Sequence, residues 1–123
     1  MKKETKYKFV KEIGLVLVIS LIATFIDWIV HSSSPRFYVE PEYYRNKIIF
    51  ATLWGMIALF VFKKIKNINL KAIIFSGVIA TVLQVKYFLQ GYDKFFVFLF
   101  LFLHFFMLLI PALIIFRKFR EVF

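Results

Sequence analysis

The chain has 123 residues, of which 62% are hydrophobic and 18 are phenylalanine, and it carries a formal net charge of +10 and no cysteine. A soluble domain is about half apolar, so this composition predicts a single-domain integral membrane protein. The lack of cysteine excludes a disulfide framework, a thiolate metal site and a cysteine nucleophile. We expect no nucleic-acid partner, because the basic residues flank apolar runs and form no separate basic domain.

The first predicted element is an apolar run at about residues 13–30, which follows a basic segment. A bilayer core of about 30 Å needs roughly 20 apolar residues in a helix, so this run predicts a transmembrane span. It is longer than the apolar part of a signal peptide, and Asp27 and Trp28 interrupt its end. We therefore expect the segment to be retained rather than cleaved.

A predicted outer loop, residues 31–47, then leads to a short second span at about 48–62, which extends back toward Tyr43 and Tyr44. The third span covers about 68–89 and the fourth about 95–116. Short connectors join the second span to the third and the third to the fourth, as in antiparallel neighbours. The predicted fold is all-α, a four-helix transmembrane bundle formed by residues 1–123.

Lysine and arginine predict the orientation of the bundle. Twelve of these residues lie in segments 1–12, 63–71 and 117–120, and five lie on the opposite side, at Arg36, Arg45, Lys47, Lys86 and Lys94. Positive residues favour the cytoplasmic side. The bias predicts a multi-pass protein of the cell membrane with both termini in the cytoplasm (N-in, C-in).

Polar side chains recur at helical spacing within the apolar runs. Because lipid offers polar groups no partners, we expect these side chains to turn toward neighbouring helices and the Phe-rich faces to meet lipid. Tyrosines near the span ends, Tyr43 among them, fit the aromatic belt at the membrane interface. The recurring residues are Ser20, Thr24, Asp27 and His31 in the first span, Thr52 and Gly55 in the second, and Gly77, Ala80, Gln84 and Tyr87 in the third.

Ionisable groups within the spans are the strongest functional signal, because such groups tend to mark binding sites, ion paths or proton relays. Asp27 and His31 are four residues apart, and His104 lies near the middle of the fourth span. A purely structural Asp–His bond and a core histidine are the alternatives. We predict a polar seam that opens to the outside, with a ligand-binding set of Asp27, His31, Gln84 and Tyr87 near its mouth and His104 deeper.

The same spacing lets Asp27 and His31 reach one metal ion, with a third ligand from Glu42 or His104, or else from Glu40 or Asp93. A lone D-x-x-x-H pattern is a weak signal. The chain has no H-E-x-x-H, no G-x-S-x-G and no Gly-rich phosphate loop, so it lacks the motifs of a metalloprotease, a serine hydrolase or a nucleotide-binding enzyme.

The leading functional prediction is a non-enzymatic membrane protein without a cofactor. It would bind a small polar ligand, an ion or a lipid head group in the seam, as a transporter or an accessory subunit. The first alternative is a membrane-embedded hydrolase or transferase that acts on lipid with a divalent metal such as zinc. The second is a structural subunit of a membrane complex. Four helices are few to enclose a pathway, so we expect a homo-oligomer or a partner membrane subunit.

Overall fold

The computed structural model describes residues 3–123, apart from the side chain of Glu4. Four α-helices follow one another along the chain: α1 (Lys3–Ser32), α2 (Pro41–Val61), α3 (Ile68–Leu89) and α4 (Lys94–Lys118). One 3₁₀ turn, Pro35–Phe37, lies between α1 and α2. The predicted all-α four-helix bundle is confirmed.

The α2 helix begins at Pro41, seven residues before the predicted apolar span of 48–62 and before the predicted extension to Tyr43 and Tyr44. The predicted outer loop of 31–47 is thereby shortened to residues 33–40. Proline is well suited to the first helical position, where its missing N–H would have no partner and its φ is already helical. Glu42 lies in the first turn, where its negative charge interacts favourably with the positive end of the helix dipole.

Among the described residues, three helical segments are long and apolar enough to cross a membrane: Thr5–Ser32, Ile68–Leu89 and Lys94–Lys118. The α2 helix has 21 residues but does not belong to this set, and its first half carries Glu42, Arg45 and Lys47. The three apolar helices suggest a location in the membrane.

The helices form a closed ring in which α1 packs against α2 and α4, and α3 packs against α2 and α4. The Lys11 ammonium lies 5.4 Å from the centre of the Phe119 ring, so α1 begins and α4 ends at the same end of the bundle. At the other end, the Arg36 guanidinium lies 4.7 Å from the centre of the Phe95 ring. Large apolar side chains such as Phe60, which is 70% exposed, cover the outer faces.

Gly55 allows α2 to approach its neighbours closely. A Cβ atom at this position would lie 2.8 Å from the Phe75 ring and 3.0 Å from Val16. Such distances are shorter than van der Waals contact. Gly55 therefore faces the neighbouring helices, as predicted. A larger residue at this position would force α2 away from α1 and α3.

The turn between α3 and α4 is fixed by backbone bonds that place Tyr87. Gly91 has φ +89°, and its N–H donates to the Phe88 carbonyl while the Tyr92 N–H donates to the Tyr87 carbonyl. This is the Schellman pattern, which favours glycine at the left-handed position. The Tyr92 ring packs edge-on against Tyr87 at 5.5 Å, which holds Tyr87 against the bundle interior.

The predicted membrane orientation can be tested with single cysteines, since the chain has none of its own. We expect a membrane-impermeant maleimide to label Tyr38→Cys and Lys94→Cys on intact cells. Lys66→Cys and Arg120→Cys should react only after permeabilisation. The physical reason is the excess of basic residues on the second pair's side of the bundle. The reverse pattern, or labelling of one site from each pair, would contradict the orientation.

Candidate functional site

Each helix of the bundle contributes at least one buried polar side chain to a shared group in the interior. We call this group the interior cluster, and none of its members is more than 6% exposed. Where one helix contributes two members, these residues lie one turn apart and therefore on the same face of the helix. The interior cluster consists of Asp27 and His31 from α1, Tyr43 and Lys47 from α2, Gln84 from α3 and His104 from α4.

Asp27 lies at the centre of the interior cluster. Its Oδ2 atom is 2.8 Å from the Lys47 ammonium, in an ion pair whose two side chains are fully buried. Its Oδ1 atom is 3.2 Å from the Nε2 atoms of both His31 and His104. A buried carboxylate needs a cationic partner such as the Lys47 ammonium, because its transfer out of water is otherwise very costly.

The two imidazole rings are oriented by carbonyl oxygens. The Nδ1 atom of His31 is 2.5 Å from the Phe37 carbonyl oxygen, and Nδ1 of His104 is 2.7 Å from Gln84 Oε1. The Gln84 amide nitrogen donates to the Val97 carbonyl at 2.6 Å, which fixes the side chain's orientation. Because carbonyl oxygens only accept, both Nδ1 atoms carry hydrogens. In neutral rings both Nε2 atoms then offer lone pairs toward Asp27.

Tyr43 completes the inner surface of the interior cluster. Its hydroxyl oxygen lies 3.2 Å from Nε2 of His31 and 3.2 Å from Nε2 of His104. A hydroxyl has one hydrogen and can donate to only one of these nitrogens. Asp27 Oδ1 and the two Nε2 atoms thus converge beside a hydroxyl that has one hydrogen, while the Lys47 ammonium pairs with the other carboxylate oxygen. A cation placed among the three converging atoms would satisfy them together.

The acceptor atoms of Asp27, His31 and His104 lie within 4.8 Å of one another. Zinc binds nitrogen and carboxylate oxygen at about 2.0–2.1 Å in tetrahedral sites, so neighbouring ligand atoms there are about 3.3–3.4 Å apart. The observed 3.2 Å separations of Asp27 Oδ1 from the two histidine nitrogens are close to that spacing. These three side chains could therefore each offer one ligand atom to a metal ion.

Aromatic rings pack around His31 and exclude water from it. The His31 imidazole stacks on Phe100 with ring centres 4.5 Å apart and an interplanar angle of 5°. Phe37 packs edge-on against the same Phe100 ring at 5.5 Å. The turn that carries Phe37 therefore closes the bundle over the imidazole. The Phe37 ring packs on Phe100, and the Phe37 carbonyl oxygen contacts His31.

The predicted inward polar stripe of α1 is confirmed, with Ser20 and Asp27 fully buried and Thr24 6% exposed. Ser20 accepts a hydrogen bond from Thr52 of α2 at 3.2 Å. Part of the α3 stripe turns inward as well, at Ala80, Gln84 and Tyr87. Gly77 is less buried and lines a surface groove between α3 and α4, to which Ala80 also contributes.

The five residues predicted to bind a ligand lie together in the interior. Asp27, His31, Gln84 and His104 belong to the interior cluster, and the Tyr87 ring borders it at 5.1 Å from Tyr43. They do not line an open mouth, because none of the five is more than 4% exposed. The predicted seam is therefore closed in this structure.

The acidic residues proposed as alternative metal ligands lie on the surface. Glu42, Glu40 and Asp93 are all exposed. The Asp93 carboxylate accepts from the Phe96 N–H at 3.3 Å and caps the start of α4. Of the four candidate third ligands, His104 is the one that lies beside Asp27 and His31.

Two members of the interior cluster were not predicted from the sequence. Lys47 was placed among the outer basic residues and Tyr43 in the interfacial aromatic belt. Both are buried, because α2 begins before them at Pro41. The signal available in the sequence was Pro41 as a first helical residue, which puts Tyr43 and Lys47 four residues apart on one helical face.

Compared with known proteins, the chain matches no protein family, no curated protein and no solved structure.

Proposed function

We propose that this chain is a multi-span membrane protein that binds a divalent transition-metal ion, such as zinc, inside its helical bundle. The ligands are Asp27 Oδ1 and the Nε2 atoms of His31 and His104. One observation supports this proposal above the others: three acceptor atoms converge while both Nδ1–H groups are already bonded to carbonyl oxygens. Metal-binding histidines usually donate their second N–H in this way, which fixes the ring and its tautomer.

The donor set favours a transition metal over calcium or magnesium. Two imidazoles and one carboxylate suit zinc, copper, iron or nickel. Calcium takes six to eight oxygen ligands, and magnesium keeps an octahedral oxygen shell. The separations of 3.2 Å between Asp27 Oδ1 and the two Nε2 atoms also fit a single ion better than a small organic ligand or a lipid head group.

The arrangement favours holding an ion over catalysis on lipid. A catalytic zinc site keeps one coordination position open to water or substrate. Here the Tyr43 hydroxyl already lies 3.2 Å from both Nε2 atoms, and Phe37 and Phe100 cover His31. Transport, and assembly into a homo-oligomer or with a partner subunit, stay predictions.

Metal binding can be measured on the purified full chain. After loading with zinc and removal of excess, we expect about one zinc ion per chain, as for a closed site of this kind. Saturating zinc should also raise the free energy of unfolding, by about 2.7 kcal/mol at a hundredfold excess over Kd. Since the chain has two histidines and no cysteine, X-ray absorption should show two imidazoles at the metal.

Ligand variants give the sharper result. His31→Gln and His104→Gln should each weaken zinc binding by more than the roughly 10–100-fold that loss of a supporting partner costs. Glu42→Gln is the matched control, since this exposed carboxylate lies on α2 outside the interior cluster. A wild-type chain that retains no zinc, or histidine variants that bind it like the wild type, would contradict the proposal.

A further inference from the structure

A polar cavity lies at the opposite end of the bundle from the interior cluster. It has a volume of about 470 Å³ and is formed where the α2–α3 connector meets the residues that follow α4. Asn69, which lines it, lies fifteen positions before Gln84 on α3, a rise of about 22 Å at about 1.5 Å per residue. We call it the basic cavity; its walls include Lys63, Lys66, Asn67, Asn69, Arg120 and Phe123.

The basic cavity carries an excess of positive side chains. Lys63, Lys66 and Arg120 line it, and no acidic side chain does. Among the residues that the structure describes, none of these three cations has a carboxylate within ion-pair distance. Three like charges around one concavity repel one another, and a bound anion would relieve that repulsion.

The wall that carries Arg120 is held in place by specific bonds. Arg117 Nε donates to Asn69 Oδ1 at 2.9 Å, and the Phe123 ring stacks on Phe116 with ring centres 4.1 Å apart. The Lys71 ammonium, only 5% exposed, donates to the Phe123 carbonyl oxygen. These contacts hold residues 117–123 against the start of α3. The shape of the basic cavity is therefore fixed by specific interactions.

We infer that the basic cavity binds a phosphate group. Arginine offers two parallel N–H donors that match phosphate oxygens, and lysine adds a compact charge. A volume of about 470 Å³ falls in the range of ligand pockets, roughly 300–1,000 Å³. The phosphate can come from an anionic lipid head group, since basic pockets at the ends of membrane helices bind such groups, or from a soluble phosphate.

The experiment compares two probes on the full-length protein in neutral detergent: dioctanoyl phosphatidic acid and inorganic phosphate. The test variant is Lys66→Gln/Arg120→Gln, and the matched control is Arg45→Gln/Lys94→Gln, which removes the same charge at the other end of the bundle. We expect the test variant to bind at least one probe at least about tenfold more weakly, because tenfold corresponds to about 1.4 kcal/mol and one charge-assisted hydrogen bond contributes that much or more. The control should bind like the wild type.

A loss confined to the lipid probe assigns the site to a head group, and a loss for inorganic phosphate as well assigns it to phosphate in general. Equal weakening in both variants, or no measurable binding of either probe by the wild type, would overturn the inference. All four substituted side chains are exposed, so we expect both variants to fold, which circular dichroism checks.

Discussion

Replacing Lys47 with methionine should destabilise the metal-free protein by about 3–5 kcal/mol, the usual cost of removing one partner from a buried ion pair. Lys47 and Asp27 are both fully buried and 2.8 Å apart. Methionine fills a similar volume, so the loss reflects charge rather than packing. The free energy of unfolding in mixed micelles, measured by titration with a denaturing detergent, checks the result.

The double variant Asp27→Asn/Lys47→Met tests whether the loss of stability comes from the unpaired carboxylate. It should be more stable than Lys47→Met alone, because it leaves no uncompensated carboxylate in the interior. Lys94→Met is the control, since this exposed lysine on α4 has no ion-pair partner among the described residues. Surface substitutions of this kind usually stay within about 0.5 kcal/mol of the wild type.

Zinc extends the same test to the proposed function. A divalent ion next to Asp27 Oδ1 supplies the positive charge that Lys47→Met removes, so zinc should stabilise this variant more than it stabilises the wild type. If Lys47→Met is as stable as the wild type without metal, Asp27 does not depend on Lys47. If zinc stabilises neither protein, the metal site itself is contradicted.

Much of the fold follows from one physical rule that can be applied to the sequence. Lipid cannot satisfy polar groups, so Ser20, Thr24, Asp27 and His31 had to face other helices. The same rule brings His104 and Gln84 to them, although 77 residues separate Asp27 from His104. The core of the interior cluster was therefore predictable without any knowledge of helix order.

The α2 contribution to the site was harder to predict. Counting Lys47 among the outer, membrane-flanking charges treats it as exposed, although the second span is predicted to extend back toward Tyr43 and Tyr44. The structure shows that Pro41 starts the helix and buries Lys47 completely. A lysine near the end of an apolar run can reach the membrane surface or an internal carboxylate, and only the tertiary position of Asp27 decides between them.

The closed state of the site also lies beyond sequence patterns. It depends on the 3₁₀ turn Pro35–Phe37, whose carbonyl at Phe37 accepts from His31. Backbone carbonyls are present at every residue, so no residue type marks the one that will orient an imidazole. Where such a turn comes to lie is decided by ring packing, here of Phe37 on Phe100.

Replacing Gln84 with leucine should weaken zinc binding by about 10–100-fold, the range found when a residue that orients a metal ligand is lost. Gln84 Oε1 accepts from Nδ1 of His104 at 2.7 Å. Without it, the imidazole loses the bond that fixes its tautomer, and a buried N–H is left without an acceptor. That orphaned group should also cost about 1–3 kcal/mol of stability. Competition with a fluorescent zinc chelator measures the affinity, and detergent titration measures the stability.

The conservative variant Gln84→Glu distinguishes positioning from simple packing. Its carboxylate can still accept from His104 Nδ1, so zinc affinity should recover to within about tenfold of the wild type, although the donor to the Val97 carbonyl is lost. Thr81→Leu is the control, because Thr81 is exposed on α3 less than one turn from Gln84. Equal zinc affinity in Gln84→Leu and the wild type would contradict a positioning role for Gln84. Equal loss in the Leu and Glu variants would assign the effect to packing, since only the glutamate keeps an acceptor facing His104.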